Sequence, residues 1–422
     1  MTNVHHAPDI SKDNLRVDDL APLISRTGLV VGVIGLGGSV VLALAGPESF
    51  FRGYVANYAF FLSLGLGGLF FTMLQHLTRA GWSVTVRRLA ENLSAGLPVL
   101  GLLALPIVLA VLTGWPEAIK QVYPWIGSHD HVIEKKAGYL APGLFAVRFV
   151  IYFAIWLWLA GYFRRTSIEQ DQSGDYRLSL SMGTRAAPGM LLFALTLSFA
   201  AIDLLMTLEP KWFSTIFGVI YFAGANVGTY AALIILIYLL HRAGRATHSI
   251  GIEHTHDLGK LLFAFTVFWA YVSFSQYMLI WYANLPEETT WYVVRQQDGW
   301  QWLTLWILFG HFVIPFLALI SRWPKRRPHL LVIGAVWMLV MHWFDMVWHT
   351  LPHAEGAVMG EEARNHAIQS AKLLWSDVAQ LLTCLAAIGG FFVWRVAAAM
   401  GQAPVVPLKD PRLHESLVFE NI

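Results

Sequence analysis

The sequence contains a single cysteine, Cys384, among its 422 residues. One thiol excludes an intrachain disulfide. It also excludes the paired or clustered cysteines of a haem c attachment motif, an iron–sulfur cluster or a CxxC zinc site. If the chain takes part in redox chemistry, we therefore expect its electron carriers in other chains.

Charge is also scarce in this sequence. Charged residues make up 13% of it and the formal net charge is +2, so there is no reason to expect a nucleic-acid partner. No hydrophilic stretch is longer than about thirty residues, which is too short for a soluble catalytic domain of ordinary size. Function is therefore expected within or across a membrane.

Ten long apolar stretches dominate the chain, of which 56% is hydrophobic. In hydrocarbon every backbone polar group must be paired within the protein, so stretches of about 20 apolar residues are predicted to be helices. The sequence thus predicts an all-α polytopic membrane protein, with a tail at 1–26, a membrane domain at 27–395 and a second tail at 396–422. The predicted spans are 27–46, 53–78, 84–114, 141–164, 184–208, 213–241, 257–284, 300–321, 328–350 and 371–395.

Lysine and arginine are distributed unequally among the loops. With the N-terminus placed in the cytoplasm, the cytoplasmic segments hold 20 of the 29 basic residues, the outer segments hold eight, and Arg148 lies within a span. The positive-inside rule then predicts that both termini are cytoplasmic. This arrangement requires an even number of spans, in agreement with ten.

Ionisable side chains inside the spans are the main functional signal, because burying one at membrane depth costs from about 3 to more than about 10 kcal/mol. The predicted outer half contains Arg148, Asp203, His342, Asp345, His349 and Asp377. Near the inner face are Gln75, His76, Glu91, Asn92 and His241, and between the two layers are Asn226, Ser273, Ser275, Gln276, Tyr277 and His311. Polar groups distributed through both halves are typical of a proton path.

The ninth span carries the pattern H-x-x-D-x-x-x-H, formed by His342, Asp345 and His349. Offsets of three and seven place these side chains on one helical stripe. The stripe fits a proton relay, a metal site, a quinone pocket walled by His342 and Asp345, or a histidine bonded to its carboxylate for packing. Since the rest of the chain offers no obvious further ligands, no metal site is predicted.

Two further side chains leave alternatives open. Arg148 needs a partner of opposite charge at similar depth, and Asp203, Asp345 and Asp377 all qualify. The resulting pair is either structural or functional. Glu91 is either buried or reaches the inner interface beside neighbouring arginines.

The histidines within the spans also raise the possibility of a b-type cytochrome. His76, His241, His311 and His342 are candidate haem ligands, but pairs on facing helices at equal depth are not evident. A transporter is favoured by inverted repeats with broken helices, and these are not clear in the sequence. The sequence therefore gives no positive evidence for either class.

Two sequence runs resemble a known family. They are AIDLLMTLEPKWFSTIFG at 201–218 and SFSQYMLIWYANLPEE at 273–288. Both resemble signatures of the NrfD/PsrC-like membrane subunits of alternative complex III, a quinol:cytochrome c oxidoreductase. The second run is especially similar to the smaller of its two such subunits, the F subunit, also described as quinone-binding subunit 2. The ten-span layout is similar as well.

The resemblance implies two four-helix bundles, spans 2–5 and 6–9, flanked by spans 1 and 10, in a bacterial cytoplasmic membrane. It also implies partners: a multihaem cytochrome c, an iron–sulfur subunit, an NrfD-like paralogue, a terminal oxidase and lipids. Haem c and iron–sulfur clusters then belong to those partners, and quinone is the one ligand left open for this chain. The positions that match the family runs are Asp203, Glu209, Ser275, Gln276, Glu287 and Glu288.

The three glutamates of these runs, Glu209, Glu287 and Glu288, are expected at the outer surface.

Two functions remain open. In the first, the chain conducts protons while quinol is oxidised elsewhere in the complex. In the second, it oxidises quinol directly, and a histidine and a carboxylate of the ninth span accept the protons as electrons leave to a partner.

Overall fold

The computed structural model describes residues 10–353 and 372–421, and every regular element in this part of the chain is helical. Ten of the helices are long and apolar enough to cross a membrane. They are α1 (Ala21–Ala43), α2 (Pro47–Leu77), α3 (Val84–Thr113), α4 (Pro142–Ser173), α5 (Tyr176–Leu208), α6 (Phe217–Arg242), α7 (Ile252–Ala283), α8 (Trp300–Leu319), α9 (Pro328–Thr350) and α10 (Trp375–Met400). The prediction of an all-helical, multi-pass membrane fold is confirmed at this level.

Local chemistry explains where many of these helices begin and end. Pro47, Pro142 and Pro328 begin α2, α4 and α9. Proline is favourable there because an N–H at the first helical position would have no acceptor within the helix. Gly174 ends α4 and Asn284 ends α7 in the left-handed conformation, with φ of 69° and 49°. These are the residue types that tolerate such a φ best.

Helices α4 and α5 continue past their predicted apolar limits. α4 ends at Ser173 rather than at 164, and α5 begins at Tyr176 rather than at 184. Gln170 of α4 donates to the hydroxyl of Ser179 at 2.8 Å, which joins the two extensions. Hydropathy marks only the apolar part of a helix, whereas its hydrogen bonds continue to a cap residue.

The regular α-helical hydrogen bonding of α8 is interrupted near the middle of the helix. A π-helical turn at Leu308–Val313 separates two α-helical segments. Pro315 has no N–H to donate to the carbonyl of His311, so a regular α-helical bond is impossible at this point. The widened turn accommodates the lost bond and leaves His311 fully buried.

Helix α2 lies at the centre of the molecule, where it packs against α3, α5, α6, α9 and α10. Glycine permits its closest approach to α6. A β-carbon on Gly67 would overlap Thr229 and would lie 2.8 Å from the carbonyl oxygen of Ala225. Small residues at such crossings let helix backbones meet closely within a membrane.

The segments that carry the two termini lie at the same end of the bundle. Asn14 and Leu15 accept backbone hydrogen bonds from Ala246 and Val405, respectively. We call this end the terminal side and the other end the opposite side. Placing the terminal side in the cytoplasm stays a prediction, and Arg364, one of the outer basic residues, lies outside the described residues.

Helix α1 is attached mainly through a seam of small residues on α10. Gly32 and Gly35 of α1 are buried against Gly390 and Ala387. A β-carbon on Gly390 would overlap the backbone of Gly32, and one on Gly35 would overlap that of Ala387. Only 22% of the apolar window of α1 is buried, so its position depends on this seam.

Replacing Gly390 by valine is expected to separate α1 from α10, because the new side chain has no room beside Gly32. Overpacking of this kind costs about 1–3 kcal/mol, so the detergent-solubilised chain should unfold at a lower temperature. Gly37→Val is the matched control, since nothing lies within 4 Å of its β-carbon position. Equal melting temperatures for the two variants would show that the seam is unimportant.

Candidate functional site

The polar stripe of α9 meets three other helices in the core. His342 and Asp345 of α9 and His311 of α8 are buried, and each offers one ligand atom within 4.8 Å of the others. Trp269 of α7 donates from Nε1 to Asp345 Oδ2 at 3.1 Å, and Ser63 Oγ of α2 lies 2.8 Å from His342 Nε2. We refer to His311, His342 and Asp345 as the His–Asp cluster.

Two glycines of α6 make room for the imidazole of His342. A β-carbon on Gly224 would lie 3.0 Å from His342 Cε1, and one on Gly228 would lie 2.6 Å from Cδ2. Larger residues at these positions would displace the ring from Ser63. The close packing of α6 against α9 therefore determines where the imidazole lies.

A cavity of about 420 Å³ adjoins the His–Asp cluster. Its polar groups include Asp345 and His349 of α9, Ser273 and Gln276 of α7, and Tyr292 beyond α7. His349 Nε2 lies 3.6 Å from Asp345 Oδ1, and Gln276 Nε2 donates to the Tyr292 hydroxyl at 3.0 Å. A mostly apolar cavity with a few convergent polar groups is the usual form of a small-molecule site.

The wall of this cavity reaches the lateral surface of the helix bundle. Phe274 of α7 and Leu308 of α8 both line it, and they are 62% and 49% exposed. Tyr277, one of the predicted intermediate polar groups, also lines the cavity. The cavity therefore borders the side of the bundle between α7 and α8.

Arg148 and Asp203 form a separate ion pair between α4 and α5. The guanidinium binds both carboxylate oxygens, with Nε–Oδ2 at 2.7 Å and Nη2–Oδ1 at 2.8 Å. Tyr152 donates its hydroxyl to Oδ2 at 2.8 Å, and the ring centroid of Tyr139 lies 3.9 Å from the guanidinium carbon. Of the three acids predicted as partners of Arg148, Asp203 is the one that binds it.

Glu91 belongs to a charged network near the terminal side. It is buried and lies 2.9 Å from Arg88 and 3.5 Å from Arg87. These arginines extend to Asp171 of α4 at 2.9 Å and to Asp410 of the C-terminal segment at 2.6 Å. Burial was thus the correct alternative for Glu91, and the network joins α3 to its neighbours.

The other predicted path residues lie apart from the cavity. Gln75 and His76 are buried in the last turns of α2, where His76 stacks on Phe163 with ring centroids 5.6 Å apart. Asn226 and Ser275 each donate to a backbone carbonyl of their own helix. Asn92 is buried in α3, and His241 lies in the last turn of α6.

Asp377 has a local role at the start of α10. This helix begins at Trp375 rather than at 371, so Asp377, predicted in the outer half of the span, lies in its first turn. Its carboxylate accepts from the backbone N–H of Leu374 at 2.8 Å and from the Ser49 hydroxyl. These bonds cap the helix and join it to α2.

The prediction that Glu209 lies at the surface is wrong. It is 7% exposed, because the turn after α5 folds beneath the short helix at Pro286–Val294. Trp212 of that turn stacks on Trp291 with ring centroids 4.3 Å apart. Glu287 is exposed, as predicted, and Glu288 is half-buried.

Two buried arginines act on the Glu209 carboxyl group. Burial raises the pKa of Glu209 to about 7, while the positive charges of Arg295 and Arg52 oppose this rise. Burial also lowers the pKa of Arg295 to about 9, against the effect of Glu209. Arg295 is held over the Trp291 ring, 3.2 Å from its centroid.

Several site residues were not singled out from the sequence. Ser63 and Trp269 contact the His–Asp cluster, Tyr292 lines the cavity, and Arg295 acts on the Glu209 carboxyl group. Trp269 did carry a signal, since it lies in mid-span and not at an interface where tryptophan is common. Nothing in the local sequence marks Ser63.

The fold and the site together define a multi-pass helical membrane protein with a buried polar cluster beside a largely apolar cavity. Neither the models of known protein families nor the curated proteins give a match to this chain. Its function is therefore argued from the site itself.

Glu209 is expected to make stability depend on pH. Its pKa is about 7 in the folded chain against an ordinary 4.5, so the folded chain holds this proton more tightly between those values. The free energy of unfolding should therefore fall as pH rises from about 4.5 to about 7. Glu209→Gln should remove this part of the dependence and gain stability relative to wild type at higher pH.

Melting temperatures of the wild type and Glu209→Gln, compared at about pH 5 and about pH 8, measure this effect. Glu287→Gln removes an exposed acid nearby and should leave the wild-type dependence unchanged. If the melting temperatures of wild type and Glu209→Gln differed by the same amount at both pH values, Glu209 would not be the source of the pH dependence.

Proposed function

We propose that this chain is an integral membrane subunit of a respiratory quinol:electron-acceptor oxidoreductase and that it binds quinol in the cavity beside Asp345. The single observation that carries this proposal is the cavity itself. It is largely apolar, it reaches the lateral surface between α7 and α8, and its polar groups include a carboxylate and an imidazole 3.6 Å apart.

The shape and chemistry of the cavity suit a quinol. A volume of about 420 Å³ is within the usual range for small-molecule sites. The ring and the start of an isoprenoid tail match aromatic and aliphatic walls such as Trp348 and Leu308. The two hydroxyl groups need hydrogen-bond acceptors, which His349, Gln276 and Asp345 supply.

Oxidation of one quinol releases two electrons and two protons. We assign the electrons to haem or iron–sulfur centres in companion chains, since this chain lacks the cysteines for such clusters. His349 is suited to receive a proton from a quinol hydroxyl, and the nearby Asp345 carboxylate stabilises the imidazolium that forms. The second proton leaves to water on the opposite side.

The family resemblance supports the wider setting of this proposal. In the proposed setting, α2–α5 and α6–α9 form two four-helix bundles flanked by α1 and α10. The chain lies in a bacterial cytoplasmic membrane with both termini in the cytoplasm. The partners are a multihaem cytochrome c, an iron–sulfur subunit, an NrfD-like paralogue and a terminal oxidase. The contacts of α2 with α3 and α5, and of α6 with α7 and α9, agree with such bundles.

Filling the cavity should weaken quinol binding. Ser273→Phe places a ring into the cavity and is expected to raise the Kd for a short-chain quinol by about tenfold or more. Quenching of tryptophan fluorescence measures the binding, because Trp269 and Trp348 line the site. Ser275→Phe is the matched control, since Ser275 does not line the cavity. Equal Kd values for wild type and Ser273→Phe would overturn the proposal.

A proton path is the second candidate function, and the Arg148–Asp203 pair favours it. Arg148 joins the buried Asp203 to Tyr139, which lines another cavity, of about 420 Å³, on the opposite side. A carboxylate connected in this way to a surface cavity is suited to exchange protons with that side. The single continuous path through both halves stays a prediction.

Asp203→Asn should reduce proton movement by the reconstituted complex several-fold, because an asparagine amide does not take up and release protons at neutral pH as a carboxylate can. The pH change inside vesicles after quinol addition measures this movement. Glu287→Gln serves as the control, since that acid is exposed. Unchanged proton movement in Asp203→Asn, with electron transfer intact, would exclude the path.

A further inference from the structure

The His–Asp cluster brings three potential ligand side chains together in the core from two helices. His311 belongs to the π-helical turn of α8, and His342 and Asp345 lie one turn apart on α9. From their donor and acceptor arrangement we propose that these three residues bind one divalent transition-metal cation, with Zn²⁺ as the representative ion. The proposal goes beyond quinol binding and does not depend on it.

The hydrogen bonds of Ser63 determine which nitrogen of His342 is available. Ser63 donates its hydroxyl proton to the carbonyl oxygen of Phe60 at 2.6 Å. Its oxygen therefore accepts from His342 Nε2, 2.8 Å away, and a neutral imidazole must carry its proton on Nε2. Nδ1 then carries the lone pair of the ring, and it has no hydrogen-bond partner among the described residues.

Asp345 and His311 present further acceptors to the same place. Asp345 Oδ2 accepts from Trp269 Nε1, whereas Oδ1, which lies 3.6 Å from Nε2 of His349, has no hydrogen-bond partner in the described part of the chain. Both ring nitrogens of His311 are likewise without one, although the residue is fully buried. Buried polar atoms without hydrogen-bond partners are costly, and a cation bound by one nitrogen of each histidine and by Asp345 removes part of that cost.

The separation of these atoms suits a cation better than hydrogen bonds. The ligand atoms lie within 4.8 Å of one another, yet Nδ1 of His342, Oδ1 of Asp345 and the nitrogens of His311 form no hydrogen bond among themselves. Zinc bonds of about 2.0–2.2 Å hold neighbouring ligand atoms about 3–4 Å apart. A small inward shift of the side chains would therefore complete the coordination.

The ligand set agrees with the chemistry of zinc-like cations. Imidazole and carboxylate suit Zn²⁺, and three protein ligands leave a fourth position for water or another ligand. The Ser63 bond to His342 and the Trp269 bond to Asp345 provide the outer contacts that usually orient metal ligands. Two neutral imidazoles and one carboxylate leave a net charge of +1, which a hydroxide at the fourth position would neutralise.

Metal content of the full-length chain tests this inference. The protein is purified in detergent, treated with a chelator, loaded with Zn²⁺, dialysed and measured by inductively coupled plasma mass spectrometry. We expect about one zinc per wild-type chain and less than about 0.2 in His311→Gln, His342→Gln and Asp345→Asn. His76→Gln, which removes a buried histidine remote from the cluster, should retain the wild-type content.

Fewer than about 0.2 zinc ions per wild-type chain would overturn the proposal, whether or not the variants fold. Retention of zinc by all three cluster variants would overturn it as well, since the ion would then be bound elsewhere. Substitution by Co²⁺ gives a second readout, because a buried site of two nitrogens and one oxygen should give strong visible bands that the variants lack. No quinol is present in these measurements, so their outcome is separate from that of the proposed function.

Discussion

The cost of keeping polar groups away from water is the constraint on which this structure depends. At Arg148 and Asp203 the cost is offset by a two-point ion pair and a tyrosine hydroxyl. In the network of Glu91 and Arg88 it is offset by several opposite charges. In the His–Asp cluster several buried nitrogen and oxygen atoms have no hydrogen-bond partner among the described residues, and there the proposed cation would offset the cost.

Glycines that do not belong to the His–Asp cluster make its geometry possible. Gly67 lets α2 approach α6, and Gly224 and Gly228 let α6 approach the ring of His342. This packing keeps the ring within hydrogen-bond distance of Ser63, which in turn determines its tautomer. The chemistry of the cluster is thus a consequence of how closely three helices pack.

Asp345 connects the two ligand sites inferred for this chain. One of its oxygens accepts from Trp269, the other lies 3.6 Å from Nε2 of His349, and the side chain belongs to the cluster and also lines the cavity. A cation held by the cluster would therefore lie beside the head group of a ligand in the cavity. Such a cation would strengthen hydrogen bonding and charge separation at that head group.

The sequence alone determined the ten helices, because the length and apolarity of a span are local properties that any packing must respect. It also determined the polar stripe of α9, since offsets along one helix are known without a fold. It narrowed the partner of Arg148 to three acids but could not choose among them. That choice depends on which helices are neighbours.

Only the tertiary structure placed His311 beside His342 and buried Glu209. The first depends on the packing of α8 against α9 and the second on the stacking of Trp212 against Trp291, both of which join residues distant in sequence. Hydropathy and spacing describe one helix at a time, whereas a ligand site needs atoms from several helices within a few ångströms. Those relations arise from packing, where glycines and prolines decide how near and at what angle helices meet.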